Sequence, residues 1–145
     1  ISINIKKLDE HSIDDILNTE QSQNVTILKR NIILNNINLD STLYLGAFLK
    51  DKLIGYIFFS YVLDECNLES IVTLKNYTNM SVATTLINSM INFCIEKNIK
   101  KIFLEVRISN YKAINLYKKF DFKQIDIRKN YYENHEDALI FEKLL

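Results

Sequence analysis

Glu105, Asn110 and Tyr117 stand close together, and each falls where the local pattern gives it a direction. Glu105 lies in the alternating run Ile102 to Val106. By itself it is a strand-end carboxylate within reach of Arg107 or Lys101. Asn110 precedes Ala113, Ile114, Tyr117 and Phe120, which recur at helical spacing. An Asn side chain accepts a backbone N–H at a helix start, so Asn110 is a good N-cap. Tyr117 then falls on the apolar face of that short helix. A second helix start lies upstream, in Tyr77-Thr78-Asn79-Met80-Ser81-Val82-Ala83-Thr84-Thr85-Leu86. Helix N-termini offer unpaired N–H groups and a positive dipole end, which suit a phosphate. Ser81, Thr84 and Thr85 add hydroxyl donors there, and Lys75 adds charge. The two cysteines, Cys66 and Cys94, form no CxxC pair and sit in no Cys/His cluster. Neither a metal site nor a disulfide framework is indicated, and with no His partner neither thiol is placed as an activated nucleophile.

The elements that position these residues follow from hydrophobic period. Ile1 to Lys7 alternates and predicts a strand. Ser12, with Asp14 and Asp15 behind it, predicts the N-cap of a helix running to about Glu20. A second helix is expected over Ile27 to Asn35. Leu43 to Leu49 and Leu53 to Leu63 read as strands joined at Lys50-Asp51-Lys52. After a turn at Asp64-Glu65, Asn67 to Leu74 is a further strand. Ala83, Leu86, Ile87, Met90, Ile91 and Cys94 then repeat at three and four, marking an amphipathic helix that ends near Lys97-Asn98. It should bury the Cys94 thiol. Ile102 to Val106 is a strand, followed by the Asn110 helix. Phe122 to Arg128 and Ala138 to Leu144 close the chain as strands, joined by the polar segment Lys129 to Asp137. A strand–helix–strand–helix unit beside antiparallel hairpins predicts an α/β (α+β mixed) domain, with a mixed, mostly antiparallel sheet flanked by helices.

Composition bounds the function classes. The chain has 145 residues, enough for one domain, 1–145, with a real core. Lys plus Arg and Asp plus Glu each number 18, so the net charge is zero. That balance gives no pull toward nucleic acid or an anionic membrane. No apolar run reaches membrane-helix length and no signal-peptide pattern opens the sequence, so a cytoplasmic location is expected. Pro is absent and only Gly46 and Gly55 are present, which removes the usual turn punctuation.

The run Leu104-Glu105-Val106-Arg107-Ile108-Ser109-Asn110-Tyr111-Lys112-Ala113-Ile114-Asn115-Leu116-Tyr117-Lys118-Lys119-Phe120-Asp121-Phe122 resembles the LEVR-x-SN-x-x-A-I-x-LY-x-x-x-G-F signature of the bacterial ribosomal-protein-alanine N-acetyltransferases, members of the GNAT superfamily. Arg128-Lys129-Asn130-Tyr131-Tyr132 and Glu136-Asp137-Ala138 resemble that family's R-x-N-Y-Y and E-D-A ending. Upstream, Val62-Leu63-Asp64-Glu65 and Ile71-Val72-Thr73 fall where it has paired strands. The resemblance is specific from Leu104 onward and loose before Ser41. It implies the GNAT fold and direct acetyl transfer from acetyl-CoA to an amine, the N-terminal α-amine of a ribosomal protein in the first instance. An α-amine, with a reference pKa of about 8, needs less help to deprotonate than a lysine at about 10.4.

By the same resemblance Glu105 is the general base, acting through water, and Tyr117 is the general acid for the departing thiolate. Ile71, Val72 and Thr73 pair with the pantetheine arm, which Asn110 also holds. Thr78, Asn79, Ser81, Val82, Ala83 and Thr84 receive the diphosphate, and Tyr131 and Tyr132 face the substrate. Because adjacent strand residues point to opposite faces, at most one of these tyrosines is expected in the cleft. The expected partners are acetyl-CoA and a protein N-terminus, for instance of a small-subunit ribosomal protein, with no metal, nucleic acid or membrane; a monomer or weak dimer is expected. The sequence departs from the family pattern at three places. Thr78 and Ser81 replace the Arg or Gln and the first Gly of the diphosphate loop, which predicts weaker CoA binding. Gln21 to Asn36 lacks the Pro and Trp of the substrate-cleft helices. Asp121 stands where Gly precedes Phe122, tolerable if the turn needs positive φ. The alternatives are acetylation of another amine, a small molecule or lysine, and a CoA-binding or protein-binding GNAT-like domain without turnover.

Overall fold

Both periodicities of the sequence become regular structure: seven strands form one sheet, and helices cover its two faces. The computed structural model describes residues 2–145; Ile1, which opens the first expected strand, lies outside them. The strands are β1 (Ile3–Lys7), β2 (Thr42–Leu49), β3 (Lys52–Val62), β4 (Glu65–Thr73), β5 (Lys101–Arg107), β6 (Lys123–Arg128) and β7 (Ala138–Leu144). The helices are α1 (Ile13–Ser22), α2 (Arg30–Ile37), α3 (Val82–Glu96) and α4 (Tyr111–Lys119). Sheet order is β1-β2-β3-β4-β5-β7-β6. Only β4 and β5 run parallel, as a strand–helix–strand crossover requires, so the mixed, mostly antiparallel sheet is observed.

Two apolar clusters hold the layers together. Leu86, Ile87, Met90 and Cys94 of α3 pack with Ile54, Ile57, Phe59, Cys66, Ile102, Leu104 and Phe141 of the sheet. Ile13 and Ile16 of α1 and Ile33 and Ile37 of α2 pack with Tyr44, Tyr56, Phe58 and Val72. Gly55 has an ordinary negative φ, and its role is close packing. A Cβ there would lie 2.6 Å from Val82 Cγ1, so Gly55 lets the start of α3 press onto β3.

One irregularity controls the centre of the sheet. Phe58 pairs with Ser70, whereas Phe59 pairs with Leu68, which leaves Glu69 as the extra residue of a β-bulge in β4. A bulge switches which residues face which side. Before it, Cys66 and Leu68 pack beneath α3; after it, Val72 packs beneath α1 and α2. The β4–β5 ladder stops at the same place. It runs from Glu65↔Lys101 to Leu68↔Leu104 and no further. Beyond it, β5 pairs only with β7, through Glu105↔Ile140, Val106↔Leu139 and Arg107↔Ala138. The two central strands splay apart.

The two helices of the N-terminal half differ from expectation at their starts. Ser12 stands at the N-cap position of α1, as expected, but its side chain makes no cap bond there; the capping bond comes one turn earlier, where the Asp9 Oδ1 accepts the His11 N–H at 2.9 Å and opens a one-turn 3-10 segment, Glu10–Ser12. Ser12 instead accepts the Asp9 N–H at 3.3 Å. The second helix is Arg30–Ile37 rather than Ile27–Asn35. Residues 27–29 stay outside it because the Ile27 N–H is drawn to the buried Glu20 carboxylate at 3.2 Å.

The missing glycines have been replaced by Asn and Asp. Asn24, Asn98 and Asp121 all have left-handed φ, of 56°, 58° and 64°, directly after α1, α3 and α4. At the end of α4, Phe122 N–H donates to the Tyr117 carbonyl at 3.1 Å and Asp121 N–H to that of Lys118 at 3.0 Å. This is a Schellman closure, with the Phe122 and Tyr117 rings packed 5.9 Å apart as its apolar contact. Asp121 pays the left-handed cost of an L residue and places a negative charge at the negative end of the helix. Asp121→Gly is expected to stabilise the fold by about 0.5–1 kcal/mol, a rise of roughly 2–3 °C in Tm by calorimetry.

Candidate active site

The splay exposes the free edge of β4. Leu74 N–H donates to the Ile54 carbonyl at 2.8 Å, so alternation turns the polar groups of Ile71 and Thr73 away from β3 and into the gap. On the α3–α4 side the gap opens into a cavity of about 400 Å³, lined by Ile71, Val72, Thr73, Thr78, Ala83, Asn110 and Tyr117, among others. Gln23, Val25 and Ile27, from the end of α1 and the connection after it, form its opposite wall. On the other side of β4 and β5 a second cleft, of about 470 Å³, is lined by Asn67, Glu69, Phe103, Glu105, Arg128, Tyr131 and Tyr132.

Asn110 is a cap, as its sequence context predicts: its Oδ1 accepts the Ala113 N–H at 3.2 Å. Asn110 also borders the first cavity. Tyr117 is buried in the α3 cluster and borders the same cavity. Burial, with the Tyr132 phenol nearby, pushes its pKa up to about 12. It therefore holds its proton throughout the neutral range. Of the diphosphate-loop residues, Thr78 and Ala83 line the cavity, and Asn79, Ser81, Val82 and Thr84 do not. Val82 points its side chain into the core, which leaves only its backbone for a ligand. Ser81 has φ 59°, the backbone region that favours glycine. Thr85, next in line as a hydroxyl donor, already spends its Oγ on the Ser81 carbonyl at 2.8 Å.

Glu105 pairs with neither Arg107 nor Lys101. Its carboxylate lies 3.5 Å from Arg128 on β6 and faces the Tyr131 phenol, whose pKa it raises. Strand alternation puts Arg107 on the same face of β5, so the reason is competition: Arg107 is taken by the connection between β6 and β7, and the β5-β7-β6 order brings Arg128 alongside Glu105. In that connection Arg107 holds Glu133 at 2.9 Å and Glu136 at 3.5 Å.

Tyr131 and Tyr132 both line this second cleft, against the expectation that at most one would. That expectation assumed strand geometry. The two residues lie instead in the irregular connection between β6 and β7, and their N–H groups both donate to the Glu136 carbonyl at 3.1 Å. Their rings meet edge to face at 5.1 Å, and Arg107 stacks on Tyr132 at 4.0 Å.

Three contributors were not singled out from sequence. Glu136 is the hub of the connection: it accepts the Ser109 N–H at 2.9 Å. Hydrogen bonds from the Ser109 side chain and from Asn134 help hold its carboxyl down at about 2. Only its place in the E-D-A ending hinted at this. Gln23 donates to the Thr73 carbonyl at 2.9 Å, a contact between residues far apart in sequence that no local pattern could reveal. Glu69 enters through the bulge. Cys66 and Cys94 are both buried, and the neighbouring Cys94 thiol, with burial, pushes the Cys66 thiol up.

With this geometry in view, the comparisons are specific. The acetyltransferase (GNAT) family model matches residues 10–122, and the chain belongs to that family. It is 43% identical over 89 residues to a putative [ribosomal protein bS18]-alanine N-acetyltransferase of Bacillus subtilis, a match covering 61% of this chain and 59% of that protein. The chain spans about half the length of the curated relatives it matches. Among solved structures, the ribosomal-protein-S18-alanine N-acetyltransferase of Escherichia coli superposes with a TM-score of 0.92 at 25% identity, covering 99% of this chain and 94% of that one. PaiA N-acetyltransferase of Thermoplasma acidophilum, solved in complex with coenzyme A, shares the fold with a TM-score of 0.85 at 22% identity, covering all of both chains.

The raised Tyr117 pKa has a stability consequence. The unfolded phenol ionises near pH 10 and the folded one near 12. Between those values the unfolded state binds fewer protons, so stability falls as pH rises. Tyr44 and Tyr56 are pushed up by burial as well. Tyr117→Phe is expected to remove about a third of the alkaline loss, on the order of 2 kcal/mol by pH 12, in urea melts at stepped pH.

Proposed function

We propose that this chain, acting as one domain, is an acetyl-CoA-dependent N-acetyltransferase whose acceptor is the N-terminal α-amine of a protein, alanine on a ribosomal protein being the first candidate. The observation that carries this reading is the splay. It joins a cavity that ends at a buried, protonated phenol to an open cleft lined by carboxylates and tyrosines. An open cleft suits a peptide better than a small amine. The family, and the activities its relatives are named for, support the same class.

Acetyl-CoA would lie against the free edge of β4, its pantetheine amides pairing with the backbone of Ile71 and Thr73 and with Asn110. The Thr73 carbonyl is engaged by Gln23, so the arm would use its second lone pair or displace that amide. The diphosphate would meet the N–H groups at the start of α3, with Thr78 and Ala83 nearest. Ser81 and the absent basic residue make this the weakest part of the grip.

The acceptor ammonium would lose one proton to Glu105 through water. The neutral nitrogen then attacks the thioester carbonyl. As the C–S bond breaks, Tyr117 protonates the leaving thiolate and recovers a proton from the nitrogen of the tetrahedral intermediate. Net, one proton leaves for solvent. No covalent enzyme intermediate is involved, and much of the acceleration comes from holding two substrates across the gap.

Free-thiol release is the direct assay, with acetyl-CoA and a short peptide beginning with Ala. Turnover by the wild type is expected, with kcat falling about 10²-fold in Tyr117→Phe and at least tenfold in Glu105→Gln. Acetyl-CoA binding by calorimetry should survive both changes. Binding without turnover on any N-terminal amine would contradict the peptide acceptor; absence of binding would contradict the enzyme.

A further inference from the structure

The acceptor-side cleft contains two carboxylates but only one guanidinium. Glu105 is paired with Arg128 and faces the Tyr131 phenol. Glu69 is not paired: among the described residues, no salt bridge reaches it. Its one polar contact is the Ser60 hydroxyl, which donates at 3.3 Å from β3. The other groups around it are Glu105 on β5, which repels it, and the Tyr44 phenol on β2, itself pushed up partly by the Glu69 charge. Tyr131, Tyr132 and Arg128 stand across the cleft. Burial and the Glu105 charge raise the Glu69 pKa above the usual carboxylate range.

The fold places this side chain deliberately. Leu68 and Leu104 form the last pair of the β4–β5 ladder, so Glu69 and Glu105 each follow that pair and flank the mouth of the gap. Glu69 is also the bulge residue. Without the bulge, the residues after it would keep the facing of Leu68, and the free edge of β4 would not be directed into the splay. One uncompensated negative charge thus stands where the two substrates would meet.

We infer that Glu69 is the acceptor-binding residue of this cleft, receiving the acceptor's ammonium group as a cation before Glu105 assists its deprotonation. The inference rests on the acetyl-transfer reading and deepens it. It makes the preferred substrate an amine that arrives protonated, and it divides the labour between the carboxylates: Glu69 acts in binding and Glu105 in the proton transfer. A charge-assisted contact of this kind is worth about tenfold in affinity.

The experiment is steady-state kinetics of the full chain with acetyl-CoA and an Ala-initiated peptide that has no other basic residue. Wild type, Glu69→Gln, Glu69→Asp and Glu105→Gln are compared at stepped pH. At neutral pH, Glu69→Gln is expected to raise the peptide KM about tenfold while kcat and the acetyl-CoA KM stay within about twofold. Glu69→Asp, which keeps the charge, should fall between the two. Glu105→Gln should act on kcat instead. The Glu69→Gln effect on KM should shrink toward nothing above about pH 9, where an α-amine with a pKa of about 8 is already neutral. An unchanged peptide KM would overturn the inference, as would a rise that persists at high pH or extends to acetyl-CoA. A wild type that turns over no N-terminal amine would overturn the peptide-acceptor reading on which the inference rests. Wild-type turnover with an unaffected Glu69→Gln would overturn only the role of Glu69.

Discussion

The site depends on a hydrogen-bond ladder that stops early. β4 and β5 are held together only from Glu65↔Lys101 to Leu68↔Leu104. Past that point, the backbone groups of Ile71 and Thr73 have no strand partner. Unpaired backbone groups beside an apolar interior are costly unless something satisfies them. Here Gln23 takes the Thr73 carbonyl, and the cavity leaves the remaining edge open to a ligand with amides of its own. The bulge at Glu69 makes this arrangement possible, because it reverses the facing of β4 between the α3 cluster and the α1–α2 cluster.

The groups around the gap are fixed from three directions. Tyr117 is set by the Schellman closure of α4 and by its packing on Phe122. The tyrosine-bearing connection is set by Glu136, which gathers the N–H groups of Tyr131 and Tyr132 on its carbonyl and those of Ser109 on its carboxylate. The wall opposite α4 is set by the end of α1, where Ser22 accepts the Lys75 N–H at 3.1 Å and the buried Glu20 accepts from Tyr56 and Ile27. The last two tie loops to strands, Glu136 through Arg107 of β5 and Glu20 through Tyr56 of β3, so these walls are built on the sheet rather than on free segments.

Much of this was legible in the sequence. The period change after Leu74 located α3, and the alternation of Ile102 to Val106 located β5. The run from Leu104 to Phe122 named Glu105, Asn110 and Tyr117 together. What was not legible depended on pairing between distant segments. The partner of Glu105 is Arg128, which the β5-β7-β6 order brings alongside. Tyr131 and Tyr132 share a cleft because their connection is not a strand. The bulge at Glu69 leaves no mark in composition, and Gln23 reaches Thr73 across the fold. Turn positions were obscured for a different reason. Asn24, Asn98 and Asp121 do what glycine commonly does at helix ends, so a search for Gly and Pro finds none of them.

The claim at the centre of this account is that the free edge of β4 is the acetyl-CoA slot. Amide hydrogen exchange followed residue by residue, with and without acetyl-CoA, tests it most directly. The account predicts that the ligand slows exchange at Ile71 and Thr73, whose N–H groups face the gap. Val72, already paired with β3, should change little. Tight binding with no added protection at Ile71 or Thr73, or with protection confined to another surface, would contradict it.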